Sequence, residues 1–197
     1  IVSEGALYEM GQAAYARIAP ERRPQVHLSV GRLMLAQRRL AAHDEDLFDI
    51  VSHLNLGAPL IESRAERLEL ARMNLDAGRK ARLTSAFGSA LAYFRAGIAL
   101  LDGSPWRSHY ELAYALWFEA AQCEYLGGHF AAAEQAMATL LKHAVGAQDR
   151  ARVFSLRMVQ HENMARYADA LASAREGLAL FDMTLPDDEA HKHAALE

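Results

Sequence analysis

Apolar side chains recur at helical spacing along almost the whole chain, and the punctuation between them divides it into helices. Val26, Val30, Leu33 and Leu40 fall on one side of a helix expected over residues 21–40, with Pro24 tolerated in its first turn. A shorter helix is expected ahead of it, over about residues 6–18, stopping before Pro20. A third begins near Asp44, where Leu47, Val51 and Leu54 form a stripe that Gly57 halts. Ala58-Pro59 is the first clear break, and a boundary is placed there. Beyond it helices come in pairs. Ser63 and Glu66 read as a capping box, opening a helix with Leu68, Ala71, Leu75 and Gly78 on one side and an end near Leu83. Ser85 is expected to cap its partner, which runs to Leu101 and stops at Asp102-Gly103. Ser104-Pro105 starts the next pair, over residues 106–126 and 129–143, turning at Gly127-Gly128. Residues 149–164 and 166–181 make the third pair. Pro186 with Asp187-Asp188-Glu189 opens a short final helix or a tail.

The second helix of each pair repeats. Arg95-Ala96-Gly97-Ile98-Ala99-Leu100-Leu101-Asp102 returns as Arg175-Glu176-Gly177-Leu178-Ala179-Leu180-Phe181-Asp182. Each copy follows an aromatic residue with alanine three positions on: Phe87 with Ala90, and Tyr167 with Ala170. Phe130 with Ala133 is the middle copy, with Met137 and Leu140 at the later packing positions. The alanines are expected where two helices approach most closely, and Gly97 and Gly177 to pack against a following pair. A stack of helical pairs, none able to bury its apolar face alone, explains such repetition.

Composition narrows the class. Apolar residues make up 52% of 197, enough for a continuous core, and five prolines among abundant Ala, Leu, Arg and Glu favour helix throughout. No alternating run reads as a strand. A net charge of −4 gives no general attraction to nucleic acid. One cysteine, Cys123, excludes an internal disulfide and suits a reducing cytoplasm. No apolar run is long enough for a membrane span, with Glu119 and Glu124 interrupting the best candidate. The chain opens at Ile1 without a methionine and is expected to be a piece of a longer protein, Leu196-Glu197 reading as a cloning junction.

The pattern resembles the tetratricopeptide repeat. The best copy is Trp117, Ala121, Tyr125-Leu126-Gly127-Gly128, Phe130, Ala133 and Met137. Asn74 stands where the first copy should be bulky, and Met158 replaces a small residue in the third. The chain as a whole is similar to the helical region after the STAND-class ATPase unit of large bacterial multidomain sensor kinases. The residues that carry this are Gln12-Ala13-Ala14-Tyr15, Ile18 and Pro20, His27-Leu28, Gly31-Arg32-Leu33-Met34-Leu35 and Leu47-Phe48-Asp49-Ile50-Val51-Ser52-His53-Leu54-Asn55. Leu70-Ala71, Asn74-Leu75, Ala77-Gly78-Arg79-Lys80-Ala81, Trp106 and Tyr110-Glu111-Leu112 continue it. The resemblance implies an all-α fold, a right-handed superhelical stack of antiparallel hairpins. It would comprise an N-terminal helical subdomain at 1–58, three tetratricopeptide-like hairpins at 59–183 and a tail at 184–197.

Chemistry is sparse. Gly78-Arg79-Lys80 lies inside a helical pattern with no strand before it, so it is no phosphate-binding loop. Nine histidines include no His-Glu-x-x-His, and one cysteine speaks against structural zinc. His191-Lys192-His193 reads as solvated tail, and His43 with Asp44, Glu45 and Asp46 as a helix start favoured by the macrodipole. His53 lacks the acidic neighbour of a phosphoacceptor and is expected to pack while satisfying a backbone group. No nucleophile elbow is present. No catalysis, cofactor or metal is expected.

What remains is surface. In tetratricopeptide stacks the first helix of each pair lines a concave groove for a peptide. By that register the groove residues are Arg72, Leu75, Arg79 and Arg82, then Phe118, Gln122 and Tyr125, then Arg152, Ser155, Val159 and Glu162. The arginines would make one end basic and suit a carboxylate or phosphate. The competing reading is a solvated face with local pairs between Glu62, Glu66, Glu69 and Arg64, Arg67, Arg72. The expected role is a cytoplasmic, non-catalytic interaction and signal-transmission module. Its partner would be a protein or peptide, neighbouring domains of the same chain included, with no nucleic acid or membrane. The alternative is the effector-sensing arm of a STAND-type transcriptional regulator.

Overall fold

The computed structural model describes residues 17–41 and 47–185. Among these there are nine α-helices, two single 3-10 turns and no strand. The helices are α1 (Arg23–Ala41), α2 (Leu47–Gly57), α3 (Arg64–Leu83), α4 (Phe87–Ala99), α5 (Pro105–Ser108), α6 (Tyr110–Leu126), α7 (Phe130–His143), α8 (Ala147–Asn163) and α9 (Tyr167–Ala179). The expected helix over residues 6–18 and the tail beyond 185 lie outside the described residues. The helix expected over 106–126 is interrupted: His109, at φ −145°, separates the single turn of α5 from α6.

Neighbours in sequence pack as pairs: α1 with α2, α3 with α4, α6 with α7, α8 with α9. Each pair also leans on the next through α2–α3, α4–α6 and α7–α8. The helix α6 holds the assembly together because it is apolar almost all round. Its Leu112, Leu116, Ala120 and Cys123 join a cluster with α2, α3 and α4. Its Tyr114 and Ala121 join a second with Ala133, Met137 and Leu140 of α7 and Val153 of α8. The first cluster runs without a break from Leu28 and Leu54 to Leu70 and Phe94.

Three turns repeat the same geometry. Ser85, Gly128 and Ala165 take φ of 59°, 79° and 55°, each two residues before the aromatic that begins the next helix. In each, the following amide reaches back to the helix it leaves: Ala86 N to Ala81 O at 3.1 Å, His129 N to Glu124 O at 2.8 Å, Arg166 N to His161 O at 2.8 Å. This bond satisfies a carbonyl that a helix end leaves open. Ser85 is therefore a turn residue and does not cap α4, whose start has no side-chain cap. Ala90 and Ala133 are wholly buried and Ala170 nearly so, as close helix approach requires. Gly97 meets Leu116 of the next pair, but Gly177 meets Phe154 of its own.

The face of α1 is set differently from the stripe first read. Leu28 and Gly31 are buried while Val26 and Leu33 stay exposed. The cause is a close crossing: a Cβ on Gly57 would lie 2.8 Å from the Leu28 Cα, and one on Gly31 2.7 Å from the Leu54 side chain. Asn74 is fully buried and meets Asn55 of α2 amide to amide, with both N–H···O distances 2.8 Å. Its amide also donates to Leu70 O at 3.0 Å. Asn74 thus replaces a bulky residue with a polar link to the preceding pair. Ser63 accepts from Glu66 N at 3.4 Å, half of a capping box. The Glu66 carboxylate instead holds Arg32 of α1 in a two-pronged contact at 2.7 and 2.8 Å, which keeps its pKa below the usual carboxylate range.

Among the described residues, His53 meets a side chain and no backbone group. Its Nδ1 lies 2.9 Å from the Nδ1 of His27, joining α2 to α1. Such a bond needs one ring nitrogen to donate and the other to accept, so a doubly protonated pair loses it. Burial, then the charges of His53 and Arg23, lowers the His27 pKa below 6.5. A depressed folded pKa means that stability is complete above 6.5 and is lost as pH falls through 6.5 toward the folded value. Amide exchange in α1 is therefore expected to quicken between pH 7.5 and pH 5.5, relative to α6 and after correction for intrinsic rates. Equal behaviour of the two helices would show that the pair carries no such weight.

Candidate interaction groove

The first helices of the last three pairs, α3, α6 and α8, touch in turn and leave cavities along one side. The larger, of about 460 Å³, is lined by Arg82 of α3, by Phe118, Gln122, Tyr125 and Leu126 of α6, and by Arg152, Ser155, Leu156 and Val159 of α8. A second, of about 270 Å³, lies beside it around Arg79, Tyr114, Phe118, Glu119, Asp149 and Arg152. Phe118 and Arg152 belong to both.

Eight of the eleven residues expected on this face therefore come together. Three do not. Leu75 is turned into the core. Arg72 is exposed on α3 and Glu162 exposed near the end of α8, and neither lines these cavities. Helical register alone places a residue on a side of its own helix. It does not say how far along the axis the neighbouring helix stays close.

The charge of the face differs from the expectation. Arg79 Nε donates to Glu119 Oε1 at 2.8 Å, and Arg82 Nε stands 3.0 Å from Oε2, off the line of a hydrogen bond. Both guanidinium groups from α3 thus converge on one carboxylate of α6 that is only 8% exposed. Their basicity is largely answered within the fold. Two of the residues expected to pair locally on α3 reach elsewhere: Glu66 goes to Arg32, and Arg67 to Asp102 at 2.8 Å.

Arg152 is different. Its guanidinium lies 4.7 Å from the centre of the Phe118 ring and 5.7 Å from that of Tyr114, and it makes no ion pair among the described residues. The two rings are themselves stacked, 5.8 Å apart. A cation lying over aromatic faces keeps N–H groups for another acceptor. Tyr114 is fixed beneath it, its hydroxyl donating to Asp149 O at 2.7 Å, and Tyr110 donates to Asp149 Oδ2 at 2.7 Å. Burial, then Asp149, raises both phenol pKa values, so both hydroxyls stay protonated donors. Asn163 donates to the Tyr125 hydroxyl and steadies the far end. Burial pushes the Cys123 thiol up to about 11, which leaves it protonated and unreactive.

Glu119, Tyr114 and Asp149 were not anticipated as part of this face. Glu119 had a visible signal: a carboxylate midway along an apolar helix, with two arginines one turn apart on the first helix before it. Among the described residues, no helix is long and apolar enough to cross a membrane.

No family model matches the chain, and no solved structure matches it. The chain is 24% identical over 191 residues to hybrid signal transduction histidine kinase G of Dictyostelium discoideum. The match takes in 85% of this chain and 6% of that kinase, so the chain spans a small part of its relative's length. The chain is thus distantly similar to a signal transduction histidine kinase.

Proposed function

We propose that this chain is a non-catalytic interaction and signal-transmission module of a larger signalling protein, a stack of tetratricopeptide-like antiparallel hairpins in a superhelix. The paired helices, the repeated turns and the distant similarity to a hybrid histidine kinase support this reading. In this reading the module would follow a STAND-class ATPase unit in a cytoplasmic sensor kinase, as the sequence resemblance implies.

The observation that carries a binding role is Arg152. A cation over Phe118 and Tyr114, without an ion pair among the described residues, beside the apolar side chains of Leu126, Leu156 and Val159, fits a peptide with a carboxylate next to an aliphatic residue. Such a segment would come from a neighbouring domain or a regulatory protein.

Selection of phage-displayed linear peptides against the chain tests this. Enriched sequences are expected to carry Asp or Glu beside Leu, Ile or Val. Arg152→Ala is expected to weaken them roughly tenfold or more, the size of a lost charge-assisted hydrogen bond. The melting temperature should scarcely move, because only the ring contacts are lost. Failure to enrich any peptide, or affinity indifferent to Arg152→Ala, would refute the groove.

A further inference from the structure

Among the described residues, nothing covers the outer side of the last pair. Between α8 and α9 lies an apolar cleft of about 310 Å³, lined by Phe154, Met158, Ala174, Gly177, Leu178 and Phe181 among others. Phe181 at its rim is 50% exposed.

The same surface is occupied two copies earlier, on α4. A Cβ on Gly97 of α4 would meet the Asn74 Cβ of its own pair at 3.3 Å and Leu116 Cδ2 of α6 at 2.7 Å. A Cβ on Gly177 would meet the Phe154 Cβ of its own pair, again at 3.3 Å, and no other described residue within 4 Å. Gly177 thus repeats the inner contact of Gly97 and lacks the outer one. Leu100, in the core cluster that α6 joins, is 5% exposed. Its counterpart Leu180 is only partly covered. The sequence keeps the packing surface in both copies, glycine and flanking aliphatics included, while among the described residues the first alone has a covering helix.

We infer that the α8–α9 cleft docks an amphipathic helix of a partner segment, seated as α6 sits on α4. The geometry of α6 defines that helix. Its side buried in the cluster with α3 and α4 is Leu112, Leu116, Ala120 and Cys123: two leucines four apart, then small residues, with Leu116 over Gly97. A leucine fills the space over Gly177, and the small residues allow the axes to stay close. Residues 186–197 do not supply this pattern, since their single leucine, Leu196, is preceded by alanines, histidines and acidic residues. The site adjoins the Arg152 groove, Ser155 lining both, and takes an apolar helix, not an acidic strand.

The probe is a fluorescein-labelled peptide of residues 105–126 with Cys123→Ser, titrated into the whole chain and followed by anisotropy. Saturable binding is expected. Leu116→Asp in the peptide should weaken it roughly tenfold or more, the effect of losing one buried leucine. Gly177→Leu in the chain, which fills the cleft, should weaken it similarly with the circular dichroism unchanged. The peptide variant stands as a test even if that protein variant folds poorly. Absence of saturable binding overturns the inference. So does binding that ignores Gly177→Leu, which places the peptide on α4 by exchange with α6. Self-association of the chain that Gly177→Leu abolishes also overturns it, by making a second copy the occupant.

Discussion

Phe94→Ala is expected to destabilise the chain by about 3–5 kcal/mol, the usual cost of deleting a wholly buried ring. Phe94 is among the largest side chains with no exposure at all, and it sits on α4 where the first cluster joins α3. For a domain of this size that is a fall in melting temperature on the order of 10 °C. The ring's neighbour gives a sharper test. A Cβ on Gly78 would lie 2.4 Å from the Phe94 ring, so Gly78→Ala alone forces the ring or the helices to move. In the Phe94→Ala background the same methyl enters a cavity. The substitution should then be neutral or favourable, a change of sign that a urea double-mutant cycle reads as coupling. Additive effects would mean that the ring does not rest on Gly78.

That contact also shows what the sequence could and could not reveal. The apolar period, the glycine and proline breaks and the aromatic-to-alanine frame are local, and they placed α2, α3, α4, α6, α7, α8 and α9 to within a few residues. Small residues at closest approach follow from the same repeats. The misreadings share a cause: partners from elsewhere in the chain. Glu66 looked like half of a capping box until Arg32, on another helix, took its carboxylate. Asn74 looked like a defect until Asn55 matched it. The buried side of α1 shifted because Gly57 lets Leu28 in. The groove was half legible for the same reason. The repeat register gave Phe118, Tyr125, Arg152 and Val159, but only the arrangement of α3 against α6 shows that Arg79 and Arg82 are answered by Glu119.

That arrangement yields the second large effect. Removing Arg79 or Arg82 alone should cost about 0.5–1 kcal/mol, since each is partly exposed and the other still faces the carboxylate. Removing both strands Glu119, which is nearly buried beside Phe118. Breaking a buried ion pair in this way costs about 3–5 kcal/mol where no water can enter. Here the arginines are 47% and 31% exposed, so water replaces part of what they gave, and about 2–3 kcal/mol is the expected loss. The double variant should therefore exceed the sum of the singles. Adding Glu119→Leu to it should recover most of the loss, because the stranded charge is then gone and an apolar side chain fills its place. Chemical denaturation of the four variants decides between two descriptions of this face. Excess loss with rescue makes the Arg–Glu–Arg contact an interhelical fastener and leaves Arg152 as the groove's cation for a ligand. Additive loss without rescue would make all three arginines solvated charges, with the pair from α3 as available to a partner as Arg152.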